Sequence, residues 1–131
     1  MSTSLRRWLA WTPAAVWAGV IFLLSSQPVL PSPPGISDKL AHAVTYGILG
    51  AGCLLGIVAA DWRRIARRTS VLAVIVAVLY GVSDEFHQAF VPGRTPDVLD
   101  VLADAVGAAV AVGVLWLSAI LLRRRLAVSR S

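Results

Sequence analysis

Apolar residues fall along this chain in four long blocks, at 8–26, 38–60, 70–90 and 96–122. Each block is close to the 17–25 residues that a helix needs, at about 1.5 Å per residue, to cross about 30 Å of hydrocarbon. The pattern predicts an all-α fold, an integral membrane bundle of four transmembrane helices forming one domain over residues 1–131. The first block follows Arg6 and Arg7 and so has the outline of a signal peptide. Its length and the lack of a small-x-small cleavage site after "FLLSSQPV" favour a retained helix.

Polar residues inside the blocks are few and regularly placed. At about 100° per residue, Asp38, His42 and Tyr46 step one turn at a time along a single stripe of the second block. In the third block His87 and Gln88 lie three and four residues after Asp84 and are expected to share its face, with Glu85 to one side. Asp97, Asp100 and Asp104 form a three-then-four stripe on the fourth. All three stripes sit at the same membrane level, with Asp84 and Asp104 about 10 Å below the outer ends of their helices.

The connections agree with this layout. "QPVLPSPPGIS" holds Pro28, Pro31, Pro33 and Pro34 and predicts a stiff, extended link, with Ser37 capping the second helix. "VPGRTPD" predicts a turn at Pro92 and Gly93, with Thr95 as N-cap and Pro96 at the first position of the fourth helix. Gly52 with Gly56, and Gly107 with Ala111, form small-xxx-small pairs suited to close helix packing.

Composition strengthens the membrane reading: 57% of residues are hydrophobic and only 15% charged, against about a quarter charged in soluble domains. Charge then supplies orientation. Arg6 and Arg7, then Arg63, Arg64, Arg67 and Arg68, then Arg123, Arg124, Arg125 and Arg130 fall on one side. The positive-inside rule makes that side, and both termini, cytoplasmic. The expected location is the cell membrane, as a multi-pass protein. The net charge of +5 is thereby explained by anionic headgroups, so membrane lipids, and no nucleic acid, are the expected partners. Cys53, the only cysteine, cannot form an intrachain disulfide and reads as a packed thiol.

On the opposite face Lys39 and Arg94 stand against Asp38, Asp84, Glu85, Asp97, Asp100 and Asp104. A carboxylate near the middle of a membrane helix costs roughly 2.5–3.5 kcal/mol on insertion scales, and less near the interface. Such residues are expected to face one another, the two cations, or a wet cavity. An extracytoplasmic polar pocket follows.

The segments "DKLAHAVTYGILG" and "YGVSDEFHQAFVPGRTPDVLDVLADAVGA" resemble the VanZ-like family of small bacterial membrane proteins. The resemblance runs from Asp38 to about Gly107. It rests on Asp38, Lys39, His42 and Tyr46, then Asp84, Glu85 and Gln88, then Pro92, Gly93 and Arg94, then Asp100 and Asp104. The last of these is often Asn in the family, so this chain carries an added acid there. The resemblance implies a setting in the cell envelope and a link to resistance against glycopeptide antibiotics of the teicoplanin type.

Three roles for the polar cluster follow from its chemistry. It can be a structural network, with His42 and Tyr46 bonding carboxylates paired to Lys39 and Arg94, although buried ion pairs stabilise weakly. It can bind an envelope component or an antibiotic, with Arg94 and Lys39 forking onto a carboxylate or phosphate and the aspartates taking an amine or sugar hydroxyls. Or it can hydrolyse or transfer a group on a lipid-linked cell-wall substrate. His42 or His87 would then be the base, and His42, His87, Glu85 and Asp104 would be candidate metal ligands. No cofactor is expected, since no H-E-x-x-H, P-loop, dinucleotide fingerprint or nucleophile elbow occurs.

Overall fold

The computed structural model describes residues 2–28, 35 and 37–129. The chain forms α1 (Thr3–Ala10), α2 (Thr12–Ser25), α3 (Asp38–Ile57), α4 (Arg67–Gln88) and α5 (Val98–Val128), with a 3-10 turn at Trp62–Arg64. Among the described residues there is no strand. Four helical stretches, Thr3–Ser25, Asp38–Ile57, Arg67–Gln88 and Val98–Val128, are long and apolar enough to cross a membrane.

The first stretch is broken where a single helix is expected. Trp11 ends α1, and Pro13 follows in the first turn of α2. Proline has no amide to give the carbonyl four residues earlier, so the ladder is interrupted there. Helix begins at Thr3, which puts Arg6 and Arg7 inside α1 rather than ahead of it. α5 also differs at both ends. Its N-cap is Asp97, whose side chain accepts the Leu99 amide at 2.9 Å, and not Thr95. It runs on to Val128, carrying Arg123, Arg124 and Arg125 in its last turns. Ser37 caps α3 as expected, accepting the Leu40 amide at 3.2 Å. Pro92 and Gly93 form the expected turn, with Gly93 at φ 84° and the Arg94 amide closing onto the Val91 carbonyl. The proline-rich stretch 29–34 and Arg130 lie outside the described residues.

α3 is the centre of the bundle, packed on α2, α4 and α5. The packing follows from a hydrocarbon solvent. Lipid does not drive large apolar side chains inward, so small residues line the closest contacts and many branched ones point out, although Leu54, Val58 and Val112 are buried. Ala73, Ala77 and Ala108 are fully buried, whereas Val106, Val110 and Val114 are exposed on one side of α5. A Cβ on Gly52 would meet the Ala14 backbone at 3.1 Å, and one on Gly107 would overlap the Ala43 carbonyl. Both small pairs therefore mark close crossings, α2 on α3 and α5 on α3. Two side chains tie α2 further: Trp17 Nε1 donates to the Thr45 carbonyl at 2.9 Å, and Tyr80 donates its hydroxyl to the Ala18 carbonyl at 2.7 Å.

The two ends of the bundle differ in sign. At one end Arg123 donates to the Arg63 and Ile65 carbonyls at 3.2 and 2.7 Å, joining the end of α5 to the α3–α4 connection. The acids gather at the other. An alkaline-phosphatase fusion after Gly93 is expected to be active and one after Arg67 inactive; the reverse would invert the orientation expected from the arginines.

α3 ends on two left-handed residues, Ala59 and Ala60, with φ of 53° and 55°. The Ala60 amide bonds the Leu55 carbonyl at 2.9 Å, a closure that usually employs glycine. A left-handed alanine costs roughly 1–2 kcal/mol. The exposed Ala60 changed to Gly is expected to stabilise the solubilised protein by about 1 kcal/mol, read as a rise in Tm.

Candidate functional site

The acidic end is built from four elements. α3 presents Asp38, His42 and Tyr46 on one stripe, with Lys39 beside it. Lys39 Nζ lies 2.6 Å from Asp97 Oδ2 and also bonds Asp100 Oδ1, so a single ammonium clamps the start of α5 to α3. It also holds the Asp97 carboxyl below the usual aspartate value, helped by the Leu99 amide. One turn deeper, His42 Nδ1 is 2.9 Å from Asp104 Oδ1, and its Nε2 is 3.9 Å from Asp100 Oδ1. Asp104 is only 1% exposed. Its second oxygen and the Tyr46 hydroxyl, both buried, have no hydrogen-bond partner among the described residues.

α4 contributes a second network. Asp84 accepts from Ser25 Oγ at 2.5 Å and from Gln88 Nε2 at 3.0 Å, which links α2 to α4. Glu85 accepts the Asp97 amide at 2.9 Å and lies 3.4 Å from Gln88 Nε2, so it supports the start of α5. Gly81 sits one turn before these residues. A Cβ there would lie 2.8 Å from Asp104 Oδ2 and 3.2 Å from Tyr46 Cε1, so glycine is what lets α4 close on the pair.

Arg94 caps the end of α2, donating from Nε to the Gln27 carbonyl at 3.0 Å and from Nη2 to the Leu24 carbonyl at 3.3 Å. The guanidinium meets the negative end of a helix dipole, a favourable place for a cation. Among the described residues it makes no ion pair with a carboxylate. Neither cation therefore neutralises Asp84, Glu85 or Asp104.

Between α2, α3 and α4 lies a cavity of about 320 Å³. Ile21, Leu24 and Ala41 give it an apolar wall; Asp38, His42, Tyr46, Asp84, Gln88 and Ser25 give it a polar one, and Arg94 stands at its edge. Lys39, Asp97, Asp100, Asp104 and Glu85 are joined to that wall by the bonds above. His87 is the exception among the residues singled out in the sequence. Its ring stacks on Phe22 at 4.6 Å and 16°, away from the cavity. The reason is angular. With Asp84 at zero, Gln88, Gly81 and Glu85 fall at about 40°, 60° and 100° around α4, whereas His87 falls at about 300°. Sharing a face with Asp84 alone does not carry it to α3. Ser25 and Gly81, with the cavity-lining Ile21, Leu24, Ala41 and Thr45, are site residues that sequence reasoning did not name.

A small, multi-pass helical bundle with an acid-rich cavity at one end is the class of protein that these features define. The VanZ/LLP1 family model matches residues 9–122, and the chain belongs to that family. No curated protein and no solved structure gives a match.

Proposed function

We propose that this protein acts at the bacterial cell envelope by holding the headgroup of an envelope component in the cavity between α2, α3 and α4. Through that component it supports resistance to glycopeptide antibiotics of the teicoplanin type. The cavity carries the reading. Its volume of about 320 Å³ is at the low end of the roughly 300–1,000 Å³ typical of small-ligand sites. That suits a headgroup or one sugar, and is far too small for a glycopeptide antibiotic. One apolar and one polar wall suit an amphiphile. Since Lys39 and Arg94 are already engaged, the free chemistry is acidic and favours an amine or hydroxyl groups over an anion.

The test is antibiotic tolerance in a susceptible host that the intact protein protects. Gln88→Ala removes two hydrogen bonds without stranding a cation, and Asp84 keeps its bond to Ser25. It is expected to reach the membrane at near-normal levels and to lose most of the protection. Full protection by an abundant Gln88→Ala variant would mean that the cavity is not the working site. No protection by the intact protein would remove the link to glycopeptides. Group transfer or hydrolysis on a lipid-linked substrate is the second reading, favoured by the clustering of Asp38, His42 and Asp100.

A further inference from the structure

The acidic end holds one imidazole whose two nitrogens are in different situations. His42 Nδ1 is fixed by Asp104, a carboxylate sealed from solvent, at 2.9 Å. A carboxylate acceptor draws the ring proton to Nδ1 and leaves the lone pair on Nε2. That nitrogen lies 3.9 Å from Asp100 Oδ1, too far for a hydrogen bond and in the range of two ligands of one ion. With metal–ligand bonds of about 2.0–2.2 Å, neighbouring ligand atoms lie roughly 3–4 Å apart. Asp38 completes the group: one atom from each of Asp38, His42 and Asp100 lies within 4.8 Å of the others.

Two further observations bear on the same place. Tyr46 lines the cavity together with Asp38 and His42, is 1% exposed, and has a hydroxyl without a partner among the described residues. A water or ligand group carried on an ion would supply that partner. The Asp104–His42 pair is also the arrangement in which a buried carboxylate orients a ligating imidazole and raises its basicity. Lys39 bonds that same Oδ1 of Asp100, whereas Oδ2 has no hydrogen bond among the described residues and is the oxygen free to ligate.

We propose that Asp38, His42 and Asp100 form a three-ligand site for a divalent ion of the zinc or manganese class at the mouth of the cavity, with Asp104 as the residue that positions His42. One nitrogen and two carboxylate oxygens suit these metals. Three protein ligands leave coordination positions open toward the cavity. The inference uses the cavity of the preceding reading and adds an ion, to which a headgroup oxygen can bind directly. The ligand set differs from that expected from sequence: His87 is turned to Phe22, and Glu85 is engaged by the Asp97 amide.

The test uses the full chain in detergent, stripped with chelator and titrated with Mn2+ under electron paramagnetic resonance, with Zn2+ as competitor. One Mn2+ per chain is expected, displaced by Zn2+, with nitrogen modulation from one imidazole. Asp38→Asn, at an exposed position, is expected to weaken binding by a factor of about ten or more. His42→Gln is expected to abolish the nitrogen signal. If His42→Gln does not fold, Asp38→Asn and the nitrogen coupling of the intact chain still decide the matter. No stoichiometric Mn2+, an ion without nitrogen coupling, or unchanged affinity in Asp38→Asn would each overturn the site. Gln88→Ala is expected to keep the ion, and equal loss there would overturn the ligand assignment. None of these results depends on antibiotic tolerance, so the two readings fail separately.

Discussion

Gly107→Leu is expected to lose about 3 kcal/mol or more of stability and to leave little folded protein after extraction from the membrane. Even a Cβ at that position would overlap the Ala43 carbonyl. Overpacking where side chains can shift typically costs 1–3 kcal/mol. Here the obstacle is the backbone of α3, so the helices must separate, and the polar network that joins them beyond the crossing must open as well. Gly113→Leu is the matched control, since nothing lies within 4 Å of a Cβ there. It is expected to stay within about 1 kcal/mol of the parent. Equal melting of the two variants in detergent would mean that α3 and α5 do not cross as closely as described.

The second large effect concerns His42. Removing the only partner of a buried polar group typically costs about 1–3 kcal/mol, and more when that group is charged, because it is left unsatisfied. Asp104 is 1% exposed, and His42 is its only hydrogen-bond partner among the described residues. His42→Ala is therefore expected to destabilise the protein by about 3 kcal/mol. Adding Asp104→Ala should return at least about 1 kcal/mol of that loss, since the stranded carboxyl is gone. Thermal melting of the two single variants and the double variant measures the coupling. Strict additivity would show that the two side chains do not interact.

Much of this arrangement was legible in the sequence because hydrocarbon imposes simple demands. Long apolar blocks must be helices, and acids spaced by three or four residues must share a face that avoids lipid. Asp38, His42 and Tyr46, and likewise Asp100 and Asp104, come together for that reason. What could not be read were relations between helices. Ser25 sits at the end of the first block with no spacing rule to tie it to Asp84. Gly81 gains meaning only from how closely α4 approaches Asp104. His87 satisfied the spacing to Asp84 yet faces Phe22, because the direction toward α3 is set by packing. Arg94 was expected to meet an anion, whereas its donors reach the last carbonyls of α2. The break at Trp11 was signalled by Pro13 but hidden within a continuous apolar run.

The length of α5 sets how deep the acids lie. Its 31 residues, at about 1.5 Å each, extend about 46 Å, well beyond about 30 Å of hydrocarbon. Residues 105–122 carry no charge and span about 27 Å, with Asp104 at one edge and Arg123 at the other. The uncharged stretch thus matches one bilayer thickness, and its charged borders fix the vertical register of the helix. Asp104, sealed within protein, then lies near the hydrocarbon boundary, where a carboxylate costs far less than at mid-depth. A thinner membrane would leave part of the uncharged stretch outside hydrocarbon and is met by tilting α5 or thickening the bilayer locally, whereas a thicker one would draw Asp104 or Arg123 toward lipid.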